Sequence, residues 1–435
     1  MKKLIETIRN IFSIEELRRR IMYTIVLLVV FRLGCYIVLP GIEPSLLQKG
    51  NSGGLFGLFD TFLGGAFTKS AIFALGIMPY ISASIIVQLL QVALPSFQKL
   101  QQDDSGRKQL TQITRYFTIV ITLAQSFGYL TTQIPREAIL VNYNFFIFSS
   151  MIILTGGTMF TMWLGERITD KGLGNGTSML IMIGIVSRFP IAIIKEANLK
   201  SDIILVFVIE MIVLFFVVMG VVLITQAIRK IPIQYARQVV GGKVMGGQRQ
   251  YLPLKLNSAG VMPIIFAQSL VFLPGLVARA FPENGVAMWV AINFDSNTIG
   301  YTILTALLII VFTYFYTAIQ VDPVKMSDDI KRNNGFIPGV KPGPQTAEHI
   351  DDVLSKITLP GALFLAVIAI LPIFAEALGI GREFASFYGG TSLLILVGVV
   401  LDTLQQINSY LLVKHYEGLM QSGKVKGQSQ DMAIA

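Results

Sequence analysis

Ten separate apolar runs constrain this 435-residue chain more than any other feature. A helix that crosses the hydrocarbon core takes about 20 apolar residues, because inside lipid every backbone N–H and C=O must be bonded within the segment. The runs lie near 21–39, 70–94, 113–133, 145–164, 173–194, 203–226, 259–278, 300–321, 358–379 and 388–413. Barrel strands alternate polar and apolar over about 10 residues. These runs are apolar nearly all round, so helices are predicted and an all-α polytopic membrane protein is expected. Only 14% of the chain is charged, against roughly 25% in a soluble protein. That excludes a soluble globular enzyme and a disordered chain. A hydrophobic share of 53% also excludes a simple basic nucleic-acid binder, despite the net charge of +9. One cysteine, Cys35, and two histidines, His349 and His415, leave no disulfide framework and little for catalysis. No cofactor or metal site is expected. The run Gly172-Leu173-Gly174-Asn175-Gly176 resembles a phosphate nest, but no Lys follows and the chain then enters a span.

Charge placement orients the spans. Of the 35 Lys and Arg, 26 fall before the first span, on alternate connections after it, or in the tail. By the positive-inside rule both termini are cytoplasmic. Residues 1–20 read as an amphipathic N-terminal segment lying on the membrane (Leu4, Ile5, Ile8, Ile11, Phe12) rather than a cleavable signal. Residues 414–435 read as a cytoplasmic tail.

Two pairs of strings repeat at an offset of five spans. Gly76-Ile77-Met78-Pro79-Tyr80-Ile81 in the second matches Gly260-Val261-Met262-Pro263-Ile264-Ile265 in the seventh. Gly176-Thr177-Ser178-Met179-Leu180-Ile181 in the fifth matches Gly390-Thr391-Ser392-Leu393-Leu394-Ile395 in the tenth. Five is odd, so the second half, 203–413, runs through the membrane opposite to the first, 21–194. Inverted repeats place function near the midplane. There the strings supply symmetry-related Ile81, Ile265, Ile181 and Ile395, which read either as a hydrophobic constriction that gates by excluding water or as ordinary core or lipid-facing side chains. Pro79 and Pro263 interrupt the backbone ladder. Arg32, Glu210 and Asp402 are charged residues within spans, and satisfied interhelical pairs or snorkelling are the alternative to a functional role. The apolar stretch 53–67 is too short to span. It fits either a re-entrant helix in an outer funnel or an interfacial helix.

Further strings make the chain recognisable. Ile72-Phe73-Ala74-Leu75-Gly76-Ile77-Met78-Pro79-Tyr80-Ile81-Ser82-Ala83-Ser84-Ile85-Ile86, Gly157-Thr158-Met159-Phe160 and Met162-Trp163-Leu164-Gly165-Glu166 are joined by Gly174-Asn175-Gly176, Leu252-Pro253-Leu254-Lys255 and Tyr388-Gly389-Gly390-Thr391-Ser392-Leu393-Leu394. Over nearly its whole length the chain resembles the SecY/Sec61-alpha family of protein-conducting channels. The resemblance implies ten transmembrane helices in two inverted halves, with a short re-entrant plug helix. It implies a pore ring of Ile77, Ile81, Thr177, Ile181, Ile265 and Ile395, in which Thr177 departs from the aliphatic pattern. It places the plug on 53–67 (Leu55, Phe56, Leu58, Phe59, Phe62, Leu63). It also implies a lateral gate between spans two and three and spans seven and eight; the polar Ser84, Gln88, Gln125 and Gln268 on those spans read, from the residues alone, as a breakable seam.

Two long connections suit partners. Segment 227–257 carries six basic residues and no acidic one, and reads either as ordinary positive-inside bias or as an exposed loop pairing with RNA phosphates. Segment 322–357 mixes both signs and is rich in turns, which suits protein docking. The resemblance implies docking at Arg237, Lys243, Arg249 and Lys341. Lys341 stands where the family usually has Arg, so the bidentate fork is lost. Implied partners are SecE-like and SecG-like small membrane subunits, a SecA motor ATPase, the ribosome, signal sequences, nascent chains and membrane lipid. The expected setting is a bacterial inner membrane. The function expected is a passive channel for unfolded polypeptides, with ATP hydrolysed by the motor. An inverted-repeat carrier of a small solute is the alternative, but it should show convergent polar groups where this chain repeats isoleucine. A non-conducting scaffold would not need repeated gate strings.

Overall fold

The computed structural model describes residues 12–47, 60, 63–235, 238–240, 243–245, 249–264, 266–267, 270, 285 and 299–421. In chain order the elements are α1 (Glu15–Gly34), α2 (Met78–Ala93), α3 (Pro95–Gln102), α4 (Asp104–Gln133), α5 (Tyr143–Lys171), α6 (Gly176–Leu199) and α7 (Ile204–Thr225). Strands β1 (Ile228–Tyr235), β2 (Gln238–Val240), β3 (Lys243–Met245) and β4 (Arg249–Lys255) follow. Then come α8 (Ile299–Gln320), α9 (Pro323–Arg332), β5 (Gly335–Phe336), α10 (Pro344–Ala377), α11 (Arg382–Ala385) and α12 (Gly390–Gln421). Nine of the ten expected spans fall on these helices, and the seventh is described only in part. Among the described residues, α5, α6, α7, α8, α10 and α12 are long and apolar enough to cross a membrane by themselves. Helix α1 opens on the polar run Glu15–Arg20, α2 has 16 residues, and the first turns of α4 are polar.

Helix edges depart from the hydropathy runs, and α2 and α10 start beside and at a proline, respectively. The second span was expected from residue 70, but 63–77 form turns and α2 begins at Met78. Pro79 then lies in the first turn, where a missing N–H costs no helical bond. Helix α10 starts at Pro344, well before the apolar run at 358, and its added turns are partly buried.

The described residues form two compact units. The first holds those up to Ser187 and from Val399 onward, and the second those from Arg188 to Gly398. In the first unit α4 packs along α2 and α5. It buries Thr114, Thr118, Thr122 and Ser126 at successive four-residue steps. The three threonine hydroxyls donate to carbonyls four residues back on α4, so the face is small and satisfied and its neighbours approach closely.

The second unit holds an unexpected sheet. Segment 227–257, read as an exposed loop, is largely stranded. β1 pairs antiparallel with β4 from Ile228↔Lys255 to Gln234↔Arg249, and β5 pairs with the far end of β1 at Gln234↔Phe336. Period-2 alternation turns Ile231 and Ile233 to one face, where they pack with Leu254, Ile330, Ile337, Ile350 and Leu354. The two long connections are therefore one folded module. Exposed Ile204, Leu205, Phe215, Phe216 and Leu223 leave α7 apolar on its outside, as suits lipid contact.

Candidate functional site

The first repeat string is built on α5. Gly157, Thr161 and Gly165 lie four residues apart on one helical face. A Cβ on Gly157 would strike the Ile72 carbonyl, and the Thr161 hydroxyl donates to the Gly76 carbonyl at 3.0 Å. Ile77 Cδ1 and Thr177 Cγ2 stand 3.3 and 3.4 Å from where a Cβ on Gly165 would be. The small face of α5 thus draws Ile77 and Thr177 together. Phe31, Phe73, Phe160 and Trp163 stack in a ladder along the same string, with centroids 5.7–5.9 Å apart.

Gly76 sits in the left-handed region (φ 50°), and its counterpart Gly260 does the same (φ 65°). Only glycine takes that conformation without strain, so the repeat seen in letters is also a repeat in backbone. A Cβ on Gly76 would collide with Leu63, which fills that space.

Ile77, Ile81, Ile181 and Ile395 are all buried. The Thr177 hydroxyl turns back to Asn175 Oδ1 at 2.6 Å, at the start of α6. Its methyl, not its hydroxyl, meets Gly165, so the departure from the aliphatic pattern is partly masked. Ile395 belongs to the second unit. Ile265 and Gln268 lie outside the described residues, as do Leu55, Phe56, Leu58, Phe59 and Phe62. Of the expected plug residues Leu63 is described, and it is buried. After it, residues 63–70 form turns. Asp60 Oδ1 accepts from the Thr68 N–H and hydroxyl at 3.0 and 3.1 Å, and Tyr129 donates to the Phe67 carbonyl at 2.6 Å. Nothing in local sequence pairs Asp60 or Tyr129 with this turn. On α2, Gln88 donates to Ser84 at 3.2 Å, and Gln125 is half-buried on neighbouring α4.

Charged residues within spans are accounted for separately. Glu210 is buried and pairs with Lys200, which also contacts Glu196 at 3.1 Å. Glu196 in turn accepts from the Gly381 N–H at 3.0 and 3.2 Å. Burial works against the Lys200 cation, but the two carboxylates outweigh it and hold its pKa above 10.5. Asp402 is exposed and lines a cavity of about 540 Å³ with Asn175, Gln405, Gln406, Ser409 and Tyr410. N–H groups of the glycine-rich run are already taken within the protein: Thr24 accepts from the Leu173 N–H, and Gln406 accepts from the Gly174 N–H.

At the docking residues, Lys341 is exposed and its carbonyl accepts from Thr346 at 2.9 Å. Ser327 donates to Gly343 at 2.8 Å, so the connection carrying Lys341 is tied at both α9 and α10. Arg237 lies outside the described residues, and Lys243 and Arg249 are described in backbone alone.

Many apolar spanning helices, a small-faced helix holding a buried isoleucine string, and a folded module on the connections define a polytopic helical membrane protein. The SecY family model matches residues 71–404, and the chain belongs to that family. The protein translocase subunit SecY of Halalkalibacterium halodurans is 42% identical, covering 96% of this chain and 100% of the relative. A solved SecY structure, described through a plug domain that stabilizes the closed state of the translocation channel and maintains a membrane seal, is similar at TM-score 0.65 and 17% identity. It covers 90% of this chain and 92% of that one. Sec61 in the canine ribosome–channel complex is similar at TM-score 0.56 and 15% identity, over 90% of this chain and 92% of its own.

Proposed function

We propose that this chain is the channel-forming subunit of a Sec translocase, closed at rest by an isoleucine ring and an outer plug. The observation that carries the reading is Leu63 seated on Gly76, directly before ring residue Ile77. In this reading Ile77, Ile81, Thr177, Ile181, Ile265 and Ile395 form the constriction. Apolar side chains there exclude water, and with it ions, until a polypeptide parts them. The plug on 53–67 covers the ring from outside. Ser84, Gln88, Gln125 and Gln268 form the seam through which spans leave sideways into lipid. Halves 21–194 and 203–413 are the moving parts.

The bacterial relatives support a bacterial inner membrane, and the positive-inside count supports cytoplasmic termini. It also puts the sheet module and Lys341 on the cytoplasmic side, facing a SecA-type motor that supplies ATP hydrolysis, or a ribosome. The ribosome complex of the Sec61 relative supports the second partner. SecE-like and SecG-like subunits complete the assembly.

The deciding experiment is reconstitution with these partners and a radiolabelled precursor. Protease protection of the precursor, dependent on the motor and ATP, is expected. No protection with an active motor overturns the channel reading. Ile81→Gly is expected to let larger ions pass once the channel opens, and an unchanged size cut-off removes Ile81 from the ring.

A further inference from the structure

Arg32 is a cation within the first apolar run, on α1, that the reading above does not use. Its guanidinium reaches the turn that follows the expected plug. Nη1 donates to the Gly64 carbonyl at 3.2 Å, and Nη2 donates to the Tyr36 hydroxyl at 3.2 Å. The Tyr36 ring also carries Lys69, whose Nζ is 4.0 Å from the centroid. Gly64 has a positive φ of 59° and is wedged between two helices. A Cβ there would collide with Arg32 Nη1 and stand 2.7 Å from Ser187 Oγ and 3.0 Å from the Gly184 carbonyl on α6. The adjacent Leu63 is the residue that fills the space beside Gly76.

We propose that Arg32 is a positioning residue of the closed state: it holds the turn Leu63–Ser70 by the Gly64 carbonyl and so seats Leu63 against Gly76, beside Ile77. A carbonyl in a turn at membrane depth has no helical partner and needs another donor. A charged donor in low dielectric makes the stronger bond. The planar fork matters because one nitrogen binds the turn while the other is steadied by Tyr36. The far end of the turn is held independently through Asp60, Thr68 and Tyr129, so Arg32 fixes the end nearest the ring. As a gating role, this rests on the plug reading; as an anchor of the turn, it does not.

The test uses the complete reconstituted complex with Cys35→Ser and Leu63→Cys, and an impermeant maleimide as probe. Labelling of this parent is expected to be slow, because position 63 is buried. Adding Arg32→Gln should accelerate it on the order of tenfold, since losing a charge-assisted bond shifts a local opening equilibrium by about that much. Arg32→Lys, which keeps the charge and one bond, should fall between. If Arg32→Gln fails to assemble, as judged by precursor import, Arg32→Lys decides the matter. Unchanged labelling in these variants overturns the anchor. Resting ion flux separates the two readings. If deleting residues 56–66 causes no leak, the plug reading fails while labelling still decides the anchor. If that deletion leaks and Arg32→Gln does not, Arg32 has no positioning role in the seal.

Discussion

Thr161 shows how one hydroxyl can fix the backbone that leads into Ile77, a residue of the proposed ring. It is fully buried on α5, and its proton is shared between the Thr158 carbonyl at 2.8 Å and the carbonyl of Gly76 at 3.0 Å, whose left-handed backbone leads into Ile77. Thr161→Val keeps the volume but orphans that carbonyl. The expected cost is about 1–2 kcal/mol, read as a lower melting temperature of the purified complex, with raised resting flux through a less fixed Ile77. An unchanged melt and flux would show the bond to be incidental. At this scale the burial of Ile81, Ile181 and Ile395 was legible, because symmetry between two strings singles them out from many apolar residues. The partners that hold them were not. Thr161 and Arg32 both act on backbone carbonyls, and a carbonyl is the same in every residue type. Gly76 was visible as a letter, but its contact with Leu63 was not.

Among elements, the ends of α6, α7 and α11 are tied by charge rather than by apolar packing. Lys200 sits between Glu196 and Glu210, and Glu196 caps the turn at Gly381 before α11. Lys200→Met leaves two buried carboxylates uncompensated, for an expected loss of about 3–5 kcal/mol. The pH dependence has a definite sign. A lysine whose pKa rises on folding stabilises fully below its unfolded value of 10.5, and the gain is lost as pH climbs through the folded value. Melts of the parent minus those of Lys200→Met should therefore stay level from neutral pH to about 10 and narrow only above it. Narrowing near neutrality would point to a different group. Helices were the most legible elements, since an apolar run of membrane length has few alternatives. The sheet was hidden for two reasons. Its strands are short and basic, and β5 meets β1 from about a hundred residues away, beyond any local pattern. The alternation of Ile231 and Ile233 was there to be read, but not the residues they would face.

For the whole molecule, one block of positive charge sits on the folded module. Segment 227–257 holds six cations and no acid. If about three of them pair with RNA phosphates, ribosome binding should weaken roughly 20- to 40-fold between about 50 and 200 mM salt. Binding that ignores salt would remove the electrostatic account. Ile350→Ala probes the same surface from beneath. Ile350 is fully buried in the module's core, and its truncation should cost about 2–5 kcal/mol. Protease sensitivity within 227–255 should increase, motor and ribosome affinity should fall, and ion flux at rest should stay level. Sensitivity confined to 322–357 would mean that the two connections fold independently.

The same core sets a clock on synthesis. Ile231, Ile233 and Leu254 are made early, but Ile330, Ile337, Ile350 and Leu354 emerge only after the eighth span is complete. A growing copy therefore displays its basic hairpin without the support that shapes it, and the finished surface exists only once most of the helices have been made. A partner that reads the assembled module, rather than its charge alone, is kept from engaging a channel that is still being built.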